Sequence, residues 1–213
     1  MRLAVSKLRL GFLASHGGSN VQAIIDACKG GSLDAEPCVV ISNNSDSEVL
    51  RRAAREGVPN LHLSSGTHPR PRDLDAAIIA TLESHGVNLV VLAGYMRLLG
   101  PQTVARYRGR ILNVHPALLP AHGGKGMYGE RVHAAVLAAR ERVTGVTVHL
   151  VDKEYDQGPV VAQTEVPVLE DDTVESLRER VLRREHEFYV ETLKRIAIGE
   201  IELPGQPSVG KET

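Results

Sequence analysis

Leu8-Arg9-Leu10-Gly11-Phe12-Leu13-Ala14-Ser15-His16-Gly17-Gly18-Ser19-Asn20 is the stretch from which the fold can be read. Residues 8–14 form a short apolar run suited to a buried strand, and Ser15-His16-Gly17-Gly18 ends it. Ser19 or Asn20 can cap the helix that follows, along which Val21, Ile24, Ile25 and Cys28 recur at helical spacing. Gly30-Gly31 closes that helix. A strand passing through glycines straight into a helix is the opening of a strand–helix–strand unit, and repeated units of this kind build parallel sheets.

The alternation continues outward. Residues 38–41 read as a second strand, Asp46 or Ser47 opens a helix through Arg55, and residues 58–63 make a weaker third strand. A Gly/Pro/Ser loop over 64–71 precedes a helix over 72–84, and residues 87–93 are the most apolar strand of the chain. A short helix over 101–107 leads into Ile111-Leu112-Asn113-Val114-His115. The second half departs from this rhythm. A glycine-rich loop over 121–129 and a helix over 130–140 precede two strands, 144–151 and from Gly158-Pro159 to 168, close enough to pair antiparallel. Asp171-Asp172-Thr173 then caps a long helix over 174–198. The expectation is an α/β fold: one domain over 1–203 with a doubly wound, mostly parallel sheet, an antiparallel strand pair in the C-terminal half and a long C-terminal helix. Residues 204–213 read as a polar tail, and the division expected within the domain is a phosphate-binding half over 7–100 and a catalytic half over 101–203.

Composition narrows the function classes. The 213 residues carry 25 basic and 26 acidic side chains, a formal net charge of −1, which argues against a broad nucleic-acid footprint. Cys28 and Cys38 are the only cysteines and have no CxxC spacing, so neither a zinc knuckle nor a disulfide framework is suggested. No apolar run reaches the roughly 18 residues of a membrane span, and no signal-peptide pattern opens the chain. A cytoplasmic protein is expected.

Doubly wound sheets bind ligands beyond the carboxyl ends of their strands. The Gly17 turn, the Gly94-Tyr95-Met96-Arg97 segment and the Asn113/His115 pair all emerge there. Amides of the turn, with the helix dipole, suit a phosphate, although the turn is not GxGxxG and Ser19-Asn20 can equally be a plain cap. No GxSxG elbow exists, which weighs against a serine hydrolase. Gly123-Gly124-Lys125-Gly126 lacks the Ser or Thr of a Walker A loop and reads as a flexible cover.

Asn113 and His115 are two apart, so an extended strand sends both side chains to one face, and Pro116 ends the ladder. An amide donor beside an imidazole can hold an oxyanion and move a proton; the bland alternative is a turn asparagine and a satisfied histidine. Asp156, on the loop before Gly158-Pro159, can reach back to His115 or be an ordinary turn aspartate. Zinc on His115, His149 and Asp156 has no compact ligand spacing behind it, and no metal is expected.

The chain resembles the folate-dependent phosphoribosylglycinamide formyltransferase family over nearly its whole length. Gly17-Gly18-Ser19-Asn20-Val21-Gln22-Ala23-Ile24-Ile25, Ala93-Gly94-Tyr95-Met96-Arg97-Leu98-Leu99 and Leu112-Asn113-Val114-His115-Pro116-Ala117-Leu118-Leu119-Pro120 carry the resemblance, with Thr144-Gly145-Val146-Thr147-Val148-His149, Asp156-Gln157-Gly158-Pro159 and Glu185-His186. The Asn113, His115, Asp156 combination marks folate formyl-transfer domains as a class. The glycine turn and Glu185-His186 narrow it to this family.

The resemblance implies two small-molecule substrates: phosphoribosylglycinamide, and 10-formyltetrahydrofolate as formyl donor. It puts the phosphate on Gly18, Ser19 and Asn20, the ribose on Glu185 and the glycinamide near the Met96 backbone. It puts the folate against Met96, Arg97, Leu98, Leu99, Asn113, Asp152 and Asp156, with Arg72, or Arg70 beside it, toward the folate glutamate. Catalysis would fall to Asn113, to His115 as an imidazolium and to Asp156, which would hold His115 charged and organise a water. Two departures stand out. His16 replaces a glycine common in the family, and Leu182 replaces a glutamine near the phosphate, with Arg183 or Arg184 the basic neighbours that could substitute. Related methionyl-tRNA formyltransferases and formyltetrahydrofolate hydrolases carry a further domain that a chain of this length leaves no room for. Oligomeric state stays open, with a homodimer through the charged helix at 47–55 among the options.

Overall fold

The computed structural model describes residues 7–204; apart from Pro204, the tail expected at the C-terminus lies outside the described residues. Seven strands, β1 (Leu8–Ala14), β2 (Ala35–Ser42), β3 (Asn60–His62), β4 (Leu89–Leu92), β5 (Ile111–His115), β6 (Val143–Leu150) and β7 (Val160–Pro167), form one sheet in the order β3-β2-β1-β4-β5-β6-β7. The first five are parallel. β6 runs against both β5 and β7, so the expected antiparallel pair is present and β6 is the reversed strand. β2 starts earlier than the apolar run suggested and includes Pro37. Pro37 lies before the Val40–Ser42 segment that pairs with β3, and the β1–β2 register shifts directly after it, between Leu10 and Gly11.

The helices are α1 (Ser19–Lys29), α2 (Glu48–Arg55), α3 (Pro71–Ser84), α4 (Pro101–Arg106), α5 (Glu130–Ala138) and α6 (Val174–Ala197). Strand side chains alternate between two apolar layers. Leu10, Phe12, Val91, Leu112, Val114, Val146 and Val148 pack with Val21 and Ile24 of α1, Val49 of α2, Val136 of α5 and Tyr189 of α6. Leu13, Val39, Ile41, Val90, Leu92 and Ile111 pack with Ile78 and Leu82 of α3. Because Leu112 and Val114 face the first layer, the two-residue period of a strand turns Asn113 and His115 toward the second. Thr147 and His149 follow the same rule on β6, where the antiparallel register sets Asn113 opposite His149 and His115 opposite Thr147.

Three side-chain anchors hold the elements together. Buried Asp75 of α3 accepts from the backbone amides of Gln102 (2.8 Å) and Thr103 (3.0 Å), capping α4 from a neighbouring helix. Thr173 and Ser176 close a capping box at the start of α6, and Arg180 clamps Asp172 beside it; such a cap contributes about 1 kcal/mol. Tyr189, fully buried, donates to Leu92 O (3.2 Å) and so fixes the middle of α6 at the end of β4.

The start of α1 corrects the sequence reading. Neither Ser19 nor Asn20 caps the helix: its N-cap is Gly18, at φ 68°, with no side-chain cap bond. Asn20 instead turns inward, its Nδ2 donating to Glu185 Oε2 (2.7 Å). Gly18 lies directly under Val49, whose side chain occupies the space a Cβ would need. The first amides of α1 are therefore left without a side-chain acceptor.

Candidate active site

β5 and β6 together present Asn113, His115, Thr147 and His149 on one face at the carboxyl end of β5. Asn113 Nδ2 lies 3.0 Å from His149 Nε2, and His149 Nδ1 lies 3.0 Å from Leu150 O. That carbonyl takes the proton of Nδ1, while Nε2 faces both the Asn113 amide and the Asp156 carboxylate; an amide carries two hydrogens, so one of Asn113's stays available. Thr147 donates to Ala117 O (2.6 Å) and accepts from Leu119 N (3.1 Å), pinning the chain that leaves β5.

Asp156 reaches this group from the β6–β7 loop, at φ 56°. Its Oδ2 lies 3.5 Å from His115 Nδ1, and its Oδ1 lies 3.5 Å from His149 Nε2. The loop is placed by Gly158, where a Cβ would overlap Leu150 O. The glycine-rich loop over 121–129 covers the group as expected, through two backbone contacts. Gly124 N donates to Asp156 Oδ2 (3.0 Å), and His122 O accepts from His115 Nε2 (2.9 Å). A substrate oxygen can reach that Nε2–H only by displacing the His122 carbonyl.

The electrostatics differ from expectation at one point. Burial pushes the His115 imidazole down; Asp156 and the His122 carbonyl push it up without overcoming burial, so it stays below its ordinary value. Burial therefore disfavours a charged His115 here, against the pull of Asp156 that was expected to hold it charged. Burial raises the Asp156 carboxyl, but the His149 and His115 rings and the Gly124 amide outweigh it and leave the carboxyl below its ordinary value. Among the described residues no group of three or more His, Cys, Asp and Glu side chains is arranged to hold a metal ion.

At the switch in strand order, the β1–α1 turn is tied to its neighbours through Ser15. Its hydroxyl accepts from Met96 N (2.7 Å) and donates to Asn43 Oδ1 (2.6 Å). Gly18, Ser19, Asn20 and the Met96 backbone thus share one edge with Glu185, which α6 brings against Asn20. Burial pushes the Glu185 carboxyl up to about 7, opposed by the Asn20 amide.

An open cavity of about 470 Å³ separates α4 from the loop after β6, lined by Pro101, Val104 and Ala105 on one side and Val151, Asp152 and Gln157 on the other. Of the side chains expected around a folate, Asp152 lines it and Arg97, Leu98 and Leu99 do not. Arg97 and Leu98 are exposed on the segment after β4, and Leu99 packs on the second apolar layer. Arg72 is exposed on the first turn of α3 and is not joined to the Asn113, His115, Asp156 group.

A formyl transferase family model matches residues 8–193. The chain belongs to the formyl transferase family. It is 35% identical to a phosphoribosylglycinamide formyltransferase of Haemophilus influenzae, over 92% of this chain and 90% of that one. It is 40% identical to a chloroplastic phosphoribosylglycinamide formyltransferase of Vigna unguiculata, over 91% of this chain, and spans 62% of that relative's length. The crystal structure of glycinamide ribonucleotide transformylase 1 from Symbiobacterium toebii superposes with a TM-score of 0.86 at 42% identity, covering 94% of this chain and 92% of that one.

In this member of the family, sequence reasoning singled out Asn113, His115, Asp156 and Met96 and missed the groups that hold them: His149 against Asn113, Ser15 against Met96, and the backbone of His122 and Gly124. Thr147 and His149 are two apart on one strand and so share a face, but only the β5–β6 register sets them opposite His115 and Asn113. Among the described residues no helix is long and apolar enough to cross a membrane.

Proposed function

We propose that this chain transfers the formyl group of 10-formyltetrahydrofolate to the glycinamide amine of phosphoribosylglycinamide, a step of purine biosynthesis, as a cytoplasmic enzyme. The observation that carries the reading is the meeting of Asn113, His115 and Asp156 at one strand edge, within 3.5 Å of one another through His115 and His149. Homologues named for this activity support it.

The amine nitrogen attacks the formyl carbon, and the carbonyl pair moves onto oxygen. Asn113 offers its free amide hydrogen to that oxygen, and His115 offers Nε2–H once the His122 carbonyl withdraws. As negative charge builds there, it adds to Asp156 and raises the basicity of the imidazole. His115 then takes up a proton as the attacking amine loses one, and returns it toward the departing folate nitrogen. The C–N bond to the folate breaks, giving the N-formyl ribonucleotide and tetrahydrofolate. The first amides of α1 at Gly18, Ser19 and Asn20 suit the phosphate, Met96 the glycinamide and Glu185 the ribose hydroxyls. The α4 cavity with Asp152 suits the folate ring, and Arg72 its glutamate. No metal enters these steps.

An absorbance assay of formyl loss, run with and without the ribonucleotide, tests the reading. Formyl loss that requires the ribonucleotide is expected. Equal loss without it would make the chain a hydrolase, and no loss in either case a silent binding module.

Glu185 gives a second expectation. Ribose hydroxyls donate best to a carboxylate, and this one ionises at about 7. The KM for the ribonucleotide should therefore rise as pH falls from 8 to 6, approaching about tenfold per unit below the pKa, while the folate KM stays level. Glu185→Gln should flatten that profile; a variant that keeps the wild-type slope would remove Glu185 from the ribose site.

A further inference from the structure

We propose that Asp75 of α3 is a positioning residue for the formyl donor: it seats α4 as one wall of the cavity read above as the folate site, and its role rests on that reading. α4 spans only Pro101–Arg106, too short to hold a helical conformation on its own. Its start leaves two backbone amides without a partner inside the helix, because Pro101 has no N–H and Val104 N already donates to Gly100 O (3.1 Å). Those two, Gln102 N and Thr103 N, both donate to the one carboxylate, at Asp75 Oδ2 (2.8 Å) and Oδ1 (3.0 Å). The Thr103 hydroxyl donates to Oδ1 as well. Asp75 is 3% exposed and Thr103 fully buried, so water does not take over these bonds when the carboxylate is lost. The charge also meets the positive end of the short helix.

Gly100 points to the same role from the other side of the contact. Its backbone, at φ −66° and ψ 153°, is open to any residue, so conformational freedom does not call for a glycine there. A Cβ on it would overlap the Asp75 carboxylate. The N-cap of α4 thus carries no side chain of its own, and the absence of one admits the cap from α3.

Asp75 acts on one wall only. Pro101, Val104 and Ala105 of α4 line the cavity, facing Val151, Asp152 and Gln157. The facing loop is held by other contacts: Val151 N donates to Ile111 O (2.9 Å), and Gly158 sits against Leu150 O. The edge assigned to the ribonucleotide is tied by Ser15 to Met96 and by Asn20 to Glu185, again without Asp75. Arg72, which is assigned to the folate glutamate, stands one turn before Asp75 on α3, so one helix serves both ends of the donor. Releasing α4 therefore lowers the fraction of molecules ready for folate and leaves the ribonucleotide side in place.

The test is steady-state kinetics with each substrate varied in turn, on the wild type, Asp75→Asn, Gly100→Ala and the double variant. Asp75→Asn turns one acceptor oxygen into a donor, and Gly100→Ala drives the same carboxylate away from α4. Each should raise the folate KM about tenfold, the factor one charge-assisted hydrogen bond carries, with the ribonucleotide KM and kcat within about threefold. Together they should raise it far less than the product of the two, because both break one contact. Thr103→Val keeps both amide bonds and should raise the folate KM about threefold; it decides the matter where the other variants do not fold. Both KM values rising together would make Asp75 a brace for the whole fold, and an unchanged folate KM would leave it no role; either result overturns the assignment. Val104→Phe adds bulk to the cavity wall and removes no bond of Asp75. A wild-type folate KM in that variant would instead remove the folate reading of the cavity, and the role of Asp75 with it.

Discussion

Replacing Asp156 by Asn is expected to lower turnover by about 10²- to 10⁴-fold, the span between losing an oxyanion donor and neutralising a carboxylate that orients a histidine. Both KM values should stay within about threefold, because the amide keeps the shape of the side chain and can still accept from Gly124 N. The effect is placed in turnover by the charge. In the free site burial already disfavours a charged His115 against the pull of Asp156, so the carboxylate matters most when the imidazole is taking up its proton. Steady-state kinetics with each substrate varied in turn would check this, and a wild-type turnover would strip Asp156 of the role. Stability carries a second signature. The Asp156 carboxyl sits below its ordinary value, so its ionised form stabilises the fold above the carboxylate range and loses that contribution as pH falls through its folded pKa. The stability gap between wild type and Asp156→Asn should therefore narrow in acid.

Gly158→Ala is expected to cost activity out of proportion to stability. A Cβ there meets Leu150 O, and that backbone cannot retreat because Leu150 N donates to Pro159 O (2.9 Å), one residue on. Overpacking of this kind costs about 1–3 kcal/mol, a fall of about 2–4 °C in Tm per kcal/mol for a domain of this size. The fold should survive it. The loop must shift, however, and Asp156 lies two residues upstream, so a displacement of about 1 Å there should cost about 10²-fold in turnover. Thermal unfolding and steady-state kinetics on the same preparation separate the two effects. A variant with full activity would mean that the loop absorbs the methyl without moving the carboxylate.

The residues differ in how much of their role is legible without coordinates. Leu8–Ala14 and Leu89–Leu92 declare themselves as buried strands because a run of apolar side chains is a local property of the chain. Asn113 and His115 share a face for the same kind of reason, the two-residue period of a strand. Asp156 could be nominated from its loop before Gly158-Pro159 but not placed, since its position depends on a loop closed by the contact of Gly158 with Leu150. Asn20 shows the limit of local reasoning. Its chemistry fits a helix cap, yet a carboxylate 165 residues away takes its amide, leaving Gly18 as the N-cap.

The sequence by itself therefore determined the alternation of strands and helices, the face on which Asn113 and His115 stand and the family to which the chain belongs, because each is written in neighbouring residues. The tertiary structure decided the rest: that His149 faces Asn113, that the 121–129 loop closes on His115 and Asp156, that burial disfavours a charged His115, and that Gly18 rather than Asn20 stands at the N-cap of α1. Each of these depends on strand register, on packing between elements distant in the chain or on the exclusion of water, and none of those is carried by local spacing.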